Sequence, residues 1–434
     1  MFALAAVAVG LLAGCGGTGP RHVRTTDAAA DSRPARTVRT PPPKPHFPHG
    51  TAALRAALAR TFKKAGPTSG AVVYDLTDHA PLFDLRPRAA RWPASVEKLY
   101  TSAAVLRDLG PHATLHTEVL GAGHLARGVW HGNLYLRGGG DPTFGDGSFN
   151  RVWEHGFGPT ATEVAHKLRA DGIHRVTGQL IGDGALFDNR TGPPSTHYAP
   201  DIPDLGGKLS ALTYDHGSTM GKWTPSAFAA RELGQTMRGS GIEVRTTRRT
   251  GTAPRSARTL ATVTSPPMSV LLRLMNVPSD DFFAEMLTKQ LGVRFGGAGT
   301  TAAGARVIGE VISHDYGLQP HIVDGSGLSR EDRTSPWQVV ELLRELWGTA
   351  PGAEVYSSMP VVGVNGTVQT IAVHTPARGR CVAKTGTLTD VTNLAGYCHS
   401  RGAKRLAFAL FIDGPPNSRA LQLESAMVAA IARL

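Results

Sequence analysis

Apolar and polar positions alternate along this chain in patterns that change character three times. Residues 51–65 place apolar side chains at helical spacing. The run 70–75 is apolar enough for a buried strand, and after a turn near Thr77-Asp78 a second short strand follows at 82–84. From Ser95 onward, Val96, Leu99, Ala103, Leu106 and Leu109 recur on one helical face until Gly110-Pro111 stops the run. Residues 115–265 read differently. Short β-like runs at 133–137 and 179–182 lie between turns rich in Gly, Pro and Thr, with one helix over 160–171. Helical spacing returns at 267–275 and 281–291. Two strands then flank a turn at Thr389-Asp390, a third apolar run covers 406–412, and a helix over 418–434 closes the chain. Helices and strands from both ends, interrupted by a stretch of other character, predict one domain split in sequence into 49–114 and 266–434, with 115–265 inserted as a mostly-β module.

The start of the chain adds a compartment. Phe2 to Ala13 is unbroken apolar sequence, too short to span a bilayer and of the length of a signal-peptide core. It ends Leu12-Ala-Gly-Cys15, which resembles a bacterial lipobox. The expectation is a leader over 1–14, lipidation of Cys15, and an exported protein held at the outer face of the cytoplasmic membrane. A plain signal peptide with an incidental cysteine is the alternative. Residues 15–48, rich in Pro and Arg, read as a semi-extended tether.

The chain of 434 residues carries a formal charge of +12, of which the tether supplies four through six Arg/Lys against two Asp. A basic balance fits nucleic acid or an anionic envelope. No zinc finger, RNA-recognition signature or basic heptad is present, so nucleic acid is not an expected partner. The 17 histidines show no His-Glu-x-x-His pattern, and no Cys-x-x-Cys occurs; no metal and no cofactor are expected. Gly138-Gly-Gly-Asp-Pro142 lacks the Lys-Ser/Thr that closes a phosphate loop and reads as a tight turn.

Three strings carry chemistry. In Ser95-Val-Glu-Lys98, a serine at the first turn of a helix has a lysine on the same face, and a serine hydroxyl is a poor nucleophile without such a base. Alone, the pattern also describes an exposed helix start. Ser279-Asp-Asp281 precedes an amphipathic helix and would serve equally as an N-cap. Lys384-Thr-Gly-Thr387 lies on a strand-like run. It offers charge and hydroxyls to a carboxylate, and its glycine would let a peptide backbone approach. Taken together, in this order and separated by 184 (279−95) and 105 (384−279) residues, the strings point to a serine acyl-transferase. About the Thr389-Asp390 turn, position i faces 779−i, which sets Cys381 across from Cys398. A disulfide is expected there, two reduced buried cysteines being the alternative.

The chain resembles the class C low-molecular-mass penicillin-binding proteins, the D-alanyl-D-alanine carboxypeptidase/endopeptidase family (peptidase family S13). The likeness runs from about residue 50 to the end. Beyond the trio, it is carried by 134–143, 209–215, Asp324-Gly-Ser-Gly-Leu-Ser-Arg330 and Gly363-Val-Asn-Gly-Thr367. The resemblance implies an α/β (α+β) penicillin-recognising serine transpeptidase/β-lactamase-like fold, an antiparallel sheet flanked by helices with a large inserted module. It implies peptidoglycan stem peptides as substrate and β-lactam antibiotics as covalent inhibitors. Ser95 would be the nucleophile, Lys98 the general base, Ser279 a proton relay, and Lys384 and Thr385 the carboxylate anchor. The backbone N–H groups of Ser95 and Thr387 would form the oxyanion hole. Asp281 departs from the family, which has Asn there; an ionised Asp favours protonated Lys98. A non-hydrolytic, lipid-anchored binder of peptidoglycan or β-lactams and a β-lactamase-type hydrolase use the same residues. Carboxypeptidase and endopeptidase share the trio as well, and no oligomeric state is read from the sequence.

Overall fold

The computed structural model describes residues 50–434. The expected leader 1–14, Cys15 and the tether 15–48 lie outside the described residues. The chain opens with α1 (Ala52–Phe62), β1 (Gly70–Asp75), β2 (Ala80–Leu85) and α2 (Lys98–Asp108). Then follow β3 (His116–Ala126), β4 (Val129–Gly138), α3 (Gly147–Trp153), α4 (Ala161–Ala170), β5 (Arg175–Asp183) and the single turn α5 (Ile202–Leu205). After these come α6 (Pro225–Gly239), β6 (Glu243–Thr250) and β7 (Arg258–Thr264). Five helices, α7 (Met268–Asn276), α8 (Asp281–Phe295), α9 (Thr301–Tyr316), α10 (Pro336–Leu346) and α11 (Ala350–Ser358), precede the last sheet elements. These are β8 (Cys381–Leu388), β9 (Val391–His399) and β10 (Arg405–Asp413), and α12 (Asn417–Arg433) ends the chain.

Two five-stranded sheets result. The first, in the order β2-β1-β10-β9-β8, is antiparallel throughout. Its central strand β10 explains the unbroken apolar run seen in the sequence. Leu406, Phe408, Leu410 and Ile412 face a core shared with α1 and α12, through Leu54, Leu58, Met427 and Ile431. Ala407, Ala409 and Phe411 face the other way, into a core built on α2, α7, α8 and α10, through Leu99, Leu271, Phe282 and Leu343. A strand covered on both faces has no polar side to alternate with. In the β8–β9 hairpin Cys381 pairs with Cys398 and Lys384 with Ala395, and the two cysteines form a disulfide.

The second sheet has the order β6-β5-β4-β3-β7, and its strands lie between His116 and Thr264. β4–β5 and β5–β6 are parallel. Parallel neighbours need a crossover, and α4 and α6 supply the two crossovers. The expectation of a single helix in this stretch is corrected here. α6 buries Ala227, Ala230, Leu233 and Met237 along one face. Its start is well marked, with Pro225 in the first turn and Thr224 Oγ1 accepting from the Ala227 N–H at 3.3 Å.

Candidate active site

Ser95 sits on a 3-10 turn, Ala94–Glu97, that leads directly into α2. The preceding Ala94 is held at φ +47, a left-handed conformation that costs a non-glycine residue free energy and persists only when its surroundings fix it. Three contacts do so. The Asn393 side-chain amide of β9 donates to the carbonyls of Trp92 (2.8 Å) and Pro93 (2.9 Å). Gly327 packs so closely that a Cβ there would lie 2.0 Å from the Ala94 carbonyl oxygen. A Cβ on Gly386 would fall 2.5 Å from the Pro93 oxygen and 3.1 Å from the Val96 nitrogen. Gly386 thus makes room for the nucleophile's own turn against β8.

One helical step on from Ser95, the fully buried Lys98 places its ammonium among three acceptors. It donates to Ser95 Oγ at 2.9 Å, to the Ser326 carbonyl at 2.8 Å, and to the Asp281 carboxylate in a close ion pair. Burial raises the Asp281 carboxyl's affinity for a proton, and Lys98 opposes that. Ser279 lies in the turn before α8 at φ +66. The helix itself is capped by Asp280, whose Oδ1 accepts from the Phe283 N–H at 2.8 Å, so Ser279 is not the cap and its hydroxyl is left for other work. Lys384 of β8, fully buried, donates to Ser279 Oγ at 2.6 Å and to the Thr385 carbonyl at 3.0 Å. Burial drives the Lys384 ammonium well below its ordinary value; Lys98 adds to the effect and Asp281 counters it. Thr385 donates to Thr367 Oγ1 at 2.8 Å, while Thr387, near the end of β8, is exposed opposite Thr392.

The structure thus forms two hydrogen-bonded groups, Ser95–Lys98–Asp281 and Ser279–Lys384, coupled through the charges of Lys98, Asp281 and Lys384, with Thr385 and Thr387 further along the same strand as Lys384. Other residues join them for which no motif offered a chemical reason. Ser326 supplies a carbonyl, and Thr367 a hydroxyl. Beneath Lys98 lie the buried carboxyls of Glu97, Glu285, Asp324 and Asp332. Asp324 accepts from the N–H groups of Ser326, Gly327 and Ser329 at 2.6–3.1 Å, so the 324–330 loop is wrapped around it. Glu97 has no hydrogen-bond partner on either oxygen, and burial together with Asp324 pushes its carboxyl well up, against the pull of Lys98. The phrases 324–330 and 363–367 were visible as likeness; their work in the site depends on folding.

Comparison with known proteins places this arrangement. The crystal structure of penicillin binding protein 4 from Haemophilus influenzae superposes with a TM-score of 0.70 at 18% identity, covering 87% of this chain and 99% of that one. The same protein complexed with a β-lactam gives 0.68 at 19% identity, covering 85% and 97%. The fold is therefore the α/β penicillin-recognising fold. The D-Ala-D-Ala carboxypeptidase 3 (S13) family matches residues 51–204 and 204–434, and the chain belongs to that family. Among its relatives, the D-alanyl-D-alanine carboxypeptidase of Actinomadura sp. (strain R39) is 27% identical over 85% of this chain and 81% of that protein. Carboxypeptidase DacB of Mycolicibacterium smegmatis is 28% identical over 86% and 83%.

Proposed function

We propose that the chain is a serine-type D-Ala-D-Ala carboxypeptidase of peptidoglycan stem peptides, working through an acyl-enzyme on Ser95. The observation that carries this reading is the Lys98–Ser95 hydrogen bond of 2.9 Å, with the Ser279–Lys384 pair close enough for Lys98 and Asp281 to act on Lys384 through their charges. Ser95 Oγ attacks the carbonyl between the last two D-alanines. Lys98 takes the serine proton after passing its own to Asp281, whose buried carboxyl is raised toward holding one. The leaving amine takes up, by way of Ser279, the proton that Lys98 accepted from Ser95, and water then releases the shortened peptide. Lys384, Thr385 and Thr387 receive the terminal carboxylate, and the backbone N–H groups of Ser95 and Thr387 hold the oxyanion. β-Lactams acylate Ser95 by the same route.

Residues 49–114 and 266–434 form the catalytic domain in this reading, interrupted by 115–265. The enzyme acts outside the cytoplasm, lipidated at Cys15 after removal of 1–14 and lifted off the membrane by 15–48. Among the described residues no helix is long and apolar enough to cross a membrane. The ion pair that Asp281 makes with Lys98 also favours a second reading, a β-lactam- and peptide-binding protein without turnover. One experiment separates them. Intact mass after incubation with benzylpenicillin, wild type beside Ser95→Ala, is combined with D-alanine release from a stem pentapeptide. One adduct on wild type, none on Ser95→Ala, and D-alanine release support the carboxypeptidase. An adduct without release supports the binder. No adduct rejects Ser95 as nucleophile.

A further inference from the structure

On the far side of the 278–281 turn from Lys384, a cavity of about 520 Å³ opens between α3 and the segment Pro278–Asp280. That is within the roughly 300–1,000 Å³ of small-molecule sites. Its charged side chains include Glu154, Asp215, His216 and Asp280. Most already have partners. Asp280 accepts from Phe283 N–H and pairs with His216 Nε2 at 2.9 Å, and Asp215 accepts from Asp146 N–H at 2.6 Å. Glu154 is the exception. It is 4% exposed, and its carboxylate makes no hydrogen bond or ion pair among the described residues. Its side chain is mostly buried but lines the cavity, with no donor of the protein bonded to it, so a ligand donor entering there would find an acceptor that is poorly solvated and unpaired.

The neighbouring wall is the reverse, apolar and open. Trp153 is 68% exposed, next to Phe149, with ring centroids 6.4 Å apart and tilted by 35°. A large aromatic side chain left in water beside a pocket marks a binding surface. The two walls together define the ligand. An indole face attracts a cation and covers an apolar stem, and a carboxylate accepts from an ammonium. An anion would meet three carboxylates against two histidines, one of which, His216, is already paired with Asp280.

We propose that this cavity is a binding site for a protonated primary amine carried on an apolar stem, its ammonium on Glu154 and its stem on Trp153. The site is separate from the catalytic group, because Ser279 Oγ faces Lys384 while the Asp280 carboxylate faces His216. It goes beyond the carboxypeptidase reading, and binding is measured without turnover, so either can fail alone.

The test titrates the full chain with benzylamine and with benzyl alcohol, the uncharged analogue, by calorimetry. Buffering at about pH 8 keeps Glu154 ionised, since burial raises its carboxyl only to about 7. Saturable benzylamine binding is expected, at least tenfold tighter than benzyl alcohol. Glu154→Gln should lose that tenfold preference, and Trp153→Ala, a change at an exposed side chain that leaves folding intact, should weaken benzylamine several-fold. Equal affinity for amine and alcohol, benzylamine binding unchanged by either variant, or no saturable binding would each overturn the proposal.

Discussion

Ser95–Lys98 and Ser279–Lys384 are one chemical pair built twice, and they differ in how they are built. The first is local, two residues of a single turn, three positions apart. The second is tertiary, joining a loop to a strand 105 residues later. Lys98 meets a full set of acceptors including a carboxylate. Lys384 has a hydroxyl and a carbonyl, and the anion that acts on it, Asp281, is already paired with Lys98. Burial is complete for both. The same lysine–serine geometry thus sits in two different charge environments, and at Lys384 burial and the Lys98 charge lower the ammonium while Asp281 counters them.

The largest test of that contrast is Ser279→Ala. Removing the relay should slow peptide turnover by about 10²–10³-fold. The penicillin adduct on Ser95 should still form, because the attacking pair is untouched. A time course of intact mass beside a D-alanine assay checks it. Loss of adduct formation as complete as in Ser95→Ala would mean that the two pairs act as one unit.

Asp281→Asn is the next largest. A Lys384 that anchors a carboxylate does so as ammonium, present below its folded-state pKa and lost as pH rises through it. Asp281 raises that value, so its removal should start the loss at lower pH. At a pH above the two variants' values, KM should differ by about tenfold for each unit of displacement. KM measured across pH 6 to 9 (an illustrative range of about three units) reads it, and superimposable profiles would show that Asp281 acts on Lys98 alone.

Thr385→Val should have the smallest effect. It removes a hydroxyl that bonds Thr367, about 0.5–1.5 kcal/mol, seen as a several-fold rise in KM with kcat nearly unchanged. A matching fall in kcat would place that hydroxyl in the transition state instead.

What the sequence showed was mostly local or mirror-symmetric. Ser95 and Lys98 share a turn, so their meeting needs only helical spacing. The β8–β9 register followed from one turn at 389–390, which put Cys381 opposite Cys398. Long-range relations were hidden. Nothing near Gly386 says that Pro93 will press on it, and nothing near Ser326 says that its carbonyl will meet Lys98. The four buried carboxyls look like ordinary surface acids until the 324–330 loop folds over them. α6 was not expected, and with it went the parallel β5–β6 pairing that its crossover makes possible.

The first sheet also has a kinetic consequence. β1 pairs along its whole length with β10, and the Ser69 hydroxyl reaches the Asp413 backbone across a sequence separation of 344. Pairings so distant close large loops and form slowly, after local helices are in place. The turn that carries Ser95 is held by Asn393 and Gly386, both from this late-forming region. An emerging or partly folded chain therefore carries its serine and lysine on a helix with nothing to aim them. Acylating power arrives last, as a property of the completed chain.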